Sequence, residues 1–162
     1  MKSKKLLSII LALAMMFSVL PASTILVYAD EITETISADT TWNDGDTVGG
    51  VTISGGTVTI NLHAGRVGIT AAITIKGDVT FTGGGTLNRM STSGNLIKVE
   101  SGSLTLGNVT IDGNDVIISD SGAAAAINMA GGTVIMNDGA KITNHKRTSG
   151  YGPAVYMTGG NF

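Results

Sequence analysis

The sequence predicts an all-β solenoid: a right-handed, single-stranded parallel β-helix of roughly four to five coils of about 28–31 residues, following an N-terminal signal helix. Three observations predict it. Ser121–Val134 reads SGAAAAINMAGGTV, and Ser149–Phe162, offset by 28 residues, reads SGYGPAVYMTGGNF, with Ser-Gly, Ala, a β-branched aliphatic, Met and Gly-Gly in register. A period of that size marks stacked units rather than one globule. A short phrase, apolar-Thr-apolar, recurs between turns along most of the chain. The turns are supplied by Asn, Asp and 23 Gly, residues that accept positive φ at sharp corners.

Residues 1–29 stand apart. Lys2, Lys4 and Lys5 precede the apolar run Leu6–Leu20, and Val27-Tyr28-Ala29 supplies a small-residue cleavage site, with Leu20-Pro21-Ala22 as its rival. This is the pattern of a secretory signal peptide. Leu6–Tyr28 is long enough to span a bilayer, but Pro21, Ser23 and Thr24 interrupt it, which favours cleavage over retention as an anchor. Cleavage after Ala29 leaves 7 basic and 12 acidic residues, a net charge of about −5. That balance disfavours nucleic acid and anionic membranes as partners. The mature chain has no second apolar run long enough to span a membrane. It also has no Cys, so a secreted domain of this kind relies on its core.

Residues 30–50 are acidic and irregular and read as an N-terminal cap. They hold one alternating strand, Ile32–Ile36, and the turn Trp42-Asn-Asp-Gly-Asp46. Trp42 has two readings, a cover for the open end of the core or a platform for a sugar ring. Residues 51–162 carry the repeats. The phrase appears as Val51-Thr-Ile53 with Val58-Thr-Ile60, and as Ile73-Thr-Ile75 with Val79-Thr-Phe81. It returns as Leu104-Thr-Leu106 with Val109-Thr-Ile111, and as Val134-Ile-Met136 with Ala140-Lys-Ile142. Matching Ile73 to Leu104 to Val134 gives steps of 31 and 30 residues. A third strand precedes the later pairs: Leu96–Val99, Ala126–Met129 and Ala154–Met157, with Val67–Ile69 as an earlier copy at looser spacing. Each strand turns apolar side chains to one side and Thr to the other. Three short strands bent at Gly and Asn make one triangular circuit, and the next circuit stacks about 4.8 Å above it. A single circuit cannot bury its own apolar side, so several are needed. A sandwich or up-and-down barrel needs longer strands and hairpins, and leaves the period unexplained.

The phrases Gly152-Pro-Ala-Val155, Gly131-Gly132, Gly159-Gly160 and Asp138-Gly-Ala-Lys-Ile142 resemble the repeats of secreted bacterial right-handed β-helix proteins of adhesin-like type. More distantly, Gly152–Val155 and Ile111-Asp-Gly-Asn114 are similar to the two tetrads of polymorphic outer-membrane adhesin repeats. Pro153 stands where that family has Gly, and Ala124-Ala-Ala-Ile127 has lost both glycines. The resemblance covers about Val67–Phe162 and implies the fold; the same coil carries adhesins and polysaccharide-cleaving enzymes, so it leaves function open.

Enzymes on this fold line an outer face with stacked carboxylates, often around Ca²⁺. Coil matching sets Asp112 opposite Thr143, Asp115 opposite Lys146 and Glu100 opposite Ala130, and puts Asp78 and Asp138 in the turn between second and third strands. No two carboxylates stack, so these Asp residues read as turn formers. Asp112-Gly-Asn-Asp115 and Asn43-Asp-Gly-Asp46 lack the remaining ligands of a calcium loop. No catalytic constellation, metal set or cofactor motif is expected. Asn108-Val-Thr110 fits a glycosylation sequon, but it lies on a predicted strand pair. Lys146-Arg147 falls in the longest loop, Thr143–Gly150, a solvated segment suited to variable contacts. Tyr151 and Tyr156 lie on the last coil, and if Val155 and Met157 point inward, Tyr156 points out, where its ring could meet a sugar.

Two functions fit. One is a non-enzymatic secreted or cell-surface scaffold, adhesin-like, contacting a host or cell-wall glycan or protein, with Tyr151, Tyr156 and Trp42 as carbohydrate contacts. The other is the N-terminal part of a pectate-lyase-like enzyme whose active site lies beyond residue 162. Both accommodate the expectation that Gly159-Gly-Asn-Phe162 opens an unfinished coil of a longer protein.

Overall fold

A computed structural model describes residues 31–119, 124–148 and 154–162. All regular structure in them is β-strand, and every strand pairing is parallel. The described residues form a parallel β-helix of five circuits and the opening of a sixth. The first circuit holds β1 (Thr35–Ile36), β2 (Thr40–Trp42) and β3 (Thr47–Val48). The second holds β4 (Thr52–Ile53), β5 (Thr57–Leu62) and β6 (Arg66–Ile69), and the third β7 (Ile73–Ile75), β8 (Asp78–Thr82) and β9 (Thr86–Arg89). The fourth holds β10 (Ile97–Val99), β11 (Ser103–Leu106), β12 (Thr110–Asp112) and a short β13 (Ile117–Ile118). The fifth holds β14 (Ile127–Met129), β15 (Thr133–Met136), β16 (Lys141–Thr143) and β17 (Lys146–Arg147), and β18 (Val155–Met157) opens the sixth.

These strands stack into three faces. The first is β1-β4-β7-β10-β14-β18, the second β2-β5-β8-β11-β15 and the third β3-β6-β9-β12-β16, with β13-β17 as a small fourth sheet at one corner. Within residues 30–50, expected as a cap, the strands of the first circuit run from Thr35 to Val48. Its two- and three-residue strands are too short to show a period in sequence.

The expected 28–31-residue coil holds only for the later circuits. On the first face Ile97 lies opposite Ile127, a step of 30, and Ile127 opposite Val155, a step of 28. Earlier, Thr35 lies opposite Thr52 (17 residues), Thr52 opposite Thr74 (22) and Ile73 opposite Ile97 (24). The extra length of circuits four and five goes into the corner holding β13 and β17. Two register expectations therefore fail. Ile73 sits below Ile97, not Leu104, and Leu104 sits on Val79. Val67–Ile69 belongs to the third face rather than the first. Apolar-Thr-apolar is the same phrase on every face, so composition alone does not say which face a strand occupies.

The inward rows explain why the stack holds. Ile36, Ile53, Ile75, Val99 and Met129 form one column, and Val58, Val79, Leu104 and Val134 another; all are buried. Each such side chain stabilises the fold by about 1.5–3 kcal/mol on leaving water. Glycine fixes the corner between the first two faces. Gly102 and Gly132 have φ of 73° and 75°, and a Cβ on either would overlap the carbonyl oxygen of Gly77 or Gly102 in the circuit below. That close stacking is the physical reason for the repeated Gly-Gly.

Candidate functional site

Strand alternation puts one outward side chain per circuit in line along each face. On the first face the outward row runs, beyond Thr35 of the first circuit, through Thr52, Thr74, Lys98, Asn128 and Tyr156. Tyr156 lies beside Asn128 in the ladder, while Met157, opposite the buried Met129, is itself 42% exposed. At strand spacing, the row from Thr52 to Tyr156 makes a track roughly 19 Å long. Beside it lies a charged trio that sequence reasoning did not bring together. Lys98 Nζ stands 2.6 Å from Glu100 Oε1, and Lys76 Nζ 3.4 Å from Glu100 Oε2. The hydrogen bond from Lys98 holds the Glu100 carboxyl below its usual range, with desolvation opposing it and Lys76 reinforcing it. The first-face register could have found this trio: with Val99 set on Ile75, Glu100 follows one and Lys76 the other.

The second face is different. Thr59, Thr80, Thr105 and Ile135 form its central outward row, and Asp78 is the only charged side chain on β5, β8, β11 and β15. Asp78 opens β8, opposite Thr57 and Ser103, and accepts a hydrogen bond from Ser103 Oγ at 2.8 Å. It does not lie in the turn between second and third strands, where it was expected. On the third face Arg66 leans across two circuits, with Nη1 3.4 Å from Asn88 Oδ1 and Nη2 3.8 Å from Asp112 Oδ2.

The acidic turns are built as turns. Asp112 Oδ1 accepts hydrogen bonds from Asn114 N (2.8 Å) and Asn144 Nδ2 (3.0 Å), while Asn114 sits at φ 54°. Asp46 Oδ2 accepts from Asn43 N and Asp44 Oδ1 from Arg66 N, each at 2.7 Å. Asp112 pairs with Thr143 on one side and Asn88 on the other, so no second carboxylate stacks on it. Glu100 and Ala130 follow the paired Val99 and Met129, which keeps them opposite each other. Asp115 meets Lys146 as an ion pair at 2.8 Å, although the ladder partner of Lys146 is Ile117. Among the described residues no three His, Cys, Asp or Glu side chains are placed to share a metal ion.

Two expectations change on placement, and a third falls outside the described residues. Trp42 is 1% exposed and packs against Phe81 with ring centroids 5.7 Å apart, so neither face of its indole is open to a sugar. Lys146-Arg147 is not a free loop but β17, paired with β13, and Arg147 Nη1 donates to the Ala124 carbonyl at 3.0 Å. Tyr151 lies outside the described residues.

The buried third-face position of Arg89 was not foreseen. Its side chain is 0% exposed and shares the inward row of Ile69. Nη1 donates to the carbonyls of Ser91 (3.3 Å) and Gly94 (3.0 Å), and Nη2 to that of Ala125 (3.1 Å), tying the third circuit to the fourth. Burial lowers its pKa, but a guanidinium stays charged at neutral pH. His145 packs nearby. Burial first, and the Arg89 charge second, lower its pKa to about 4, against an opposing pull from the Ile111 backbone and Asp112.

Fold and site together define a parallel β-helix repeat protein whose faces carry distinct side-chain rows. No protein-family model matches this chain, and no curated protein or solved structure matches it either.

Proposed function

We propose that the chain is a secreted or cell-surface scaffold, adhesin-like and non-enzymatic, that contacts an extended glycan along its first face. The observation that carries the proposal is the outward track Thr52, Thr74, Lys98, Asn128, Tyr156, with an aromatic ring at one end and hydroxyl, amide and ammonium groups along it. An aromatic face takes the apolar side of a pyranose, and the amide and charged groups fix hydroxyls. The signal-peptide pattern and the resemblance to adhesin repeats support the same reading. Nothing in it requires a metal or a cofactor.

The test is binding of the full chain to a panel of neutral and acidic polysaccharides by calorimetry, with Tyr156→Ala and Lys98→Ala alongside. Tyr156→Ala is expected to weaken binding by about 1 kcal/mol, roughly fivefold. Binding that both variants leave untouched would remove the first face from the proposal. Cleavage of any polysaccharide in the panel would replace the scaffold by the lyase-like alternative.

A further inference from the structure

The end of the stack formed by the first circuit carries a groove with a volume of about 360 Å³. Ile32 and residues 34–42 line it. Among the described residues, β1 and β2 are the outermost strands of their faces, and no strand pairs with their outer edges. The third face is closed differently. Ile32 bridges to Val48, donating its N–H to the Thr47 carbonyl at 2.8 Å and accepting from Gly49 N at 3.0 Å. Ile32 thus closes the edge of the third face and also forms one wall of the groove. Its apolar wall comes from Ile32, Ile36, Ala38 and Trp42, and its acidic rim from Glu34 and Asp39.

Two further observations bear on what fills it. Trp42 is 1% exposed, yet its indole Nε1 has no hydrogen-bond acceptor among the described residues. The indole is enclosed, so it senses a strand added to β2 through its surroundings rather than by direct contact. The surrounding charge is also one-sided. Residues 31–65 contain Glu31, Glu34, Asp39, Asp44 and Asp46 and no Lys or Arg.

We propose that this groove binds an extended peptide segment alternating apolar and basic residues, which adds to the edge of β2 as a further parallel strand. Its apolar side chains would pack against Ile36 and Ala38 of the groove wall. Its main chain would pair with β2, and its basic side chains would face Glu34 and Asp39. Strand addition of this kind takes its affinity from the backbone and its selectivity from alternate side chains. The site is separate from the first-face track, so it stands or falls independently of glycan binding.

Trp42 is the only Trp in the chain, so its emission reports the groove. The probes are an alternating lysine–valine hexapeptide, its backbone N-methylated form and a glutamate–valine hexapeptide, each titrated into the full chain. The lysine–valine peptide is expected to shift Trp42 emission saturably, and the other two to leave it unchanged. The double variant Glu34→Gln with Asp39→Asn is expected to weaken binding at least tenfold; the amide introduced by Asp39→Asn keeps an oxygen for the bond that Asp39 Oδ1 accepts from Thr59 N. No shift at millimolar lysine–valine peptide, or equal binding of the N-methylated form, would overturn the proposal. The first result would mean that the groove is closed in solution, the second that charge alone attracts the peptide.

Discussion

Replacing Arg89 with Ala should destabilise the protein as much as a large aliphatic truncation in the stack. The side chain is wholly buried and donates to three carbonyls, those of Ser91, Gly94 and Ala125. With the guanidinium gone, these oxygens keep their places in the corner but lose their donors, at about 1 kcal/mol each. The vacated volume adds a cavity term, for a total of about 3–5 kcal/mol. Against a domain stability of about 5–15 kcal/mol, typical of single domains, that is a large fraction. Arg89→Met separates the two contributions, because it refills most of the volume and supplies no donor; it should cost about 2–3 kcal/mol. Urea unfolding followed by Trp42 emission gives both values, with unchanged slope indicating an unchanged unfolded state. A loss under about 0.5 kcal/mol for Arg89→Ala would refute the account of the corner. Full recovery in Arg89→Met would show that the three carbonyls do not depend on the guanidinium.

His145 should make the same corner acid-sensitive. Its folded pKa, lowered to about 4, lies below the ordinary 6.5, so the unfolded chain takes up the proton first. The His145 contribution is therefore complete above pH 6.5 and lost as pH falls toward 4, by about 1–2 kcal/mol once solvent screening of the partly exposed residue is allowed for. His145→Gln should flatten the stability profile between about pH 6.5 and 4.5, and an unchanged slope in thermal melts across that range would contradict the assignment. Gly132→Ala combines a positive φ with overlap on the Gly102 carbonyl, and should cost about 2–3 kcal/mol in the same urea assay. A melting temperature within a degree of the parent would mean that the glycine column is not strained by a methyl group.

Strands could be read from the sequence because burial here follows period two with few exceptions. Val58, Ile60 and Leu62 alternate with Thr57, Thr59 and Asn61, and the structure buries the first three. Faces were harder to assign. Ile73–Ile75 and Leu104–Leu106 share a phrase but stand on different faces, because coil length changes along the chain and nothing local records it. The first circuit was missed for a related reason: two-residue strands such as Thr35–Ile36 are held by their pairing with the next circuit, not by local pattern. Arg89 was legible in principle. Thr86-Leu-Asn-Arg89 alternates, and Leu87 faces inward, so Arg89 does too; a lone charge ordinarily favours the surface, and three carbonyl acceptors override that here. The Lys76–Glu100–Lys98 trio needed the correct first-face register, which only the pairing of β7 with β10 supplied.

The inward column carrying Arg89 has a consequence for how the chain finds its own pairing. Rungs built from Ile, Val and Leu are nearly interchangeable, and a circuit seated one rung out of place would still bury oil against oil. Arg89 breaks that equivalence. Its Nη2 reaches an acceptor only when Ala125, in the turn that enters the fifth circuit, arrives at the right corner. A slipped stack would trap a guanidinium in the interior with nothing to accept its protons, an error worth several kcal/mol. The one charged side chain inside the column thus acts as an address, penalising every alignment but the native one.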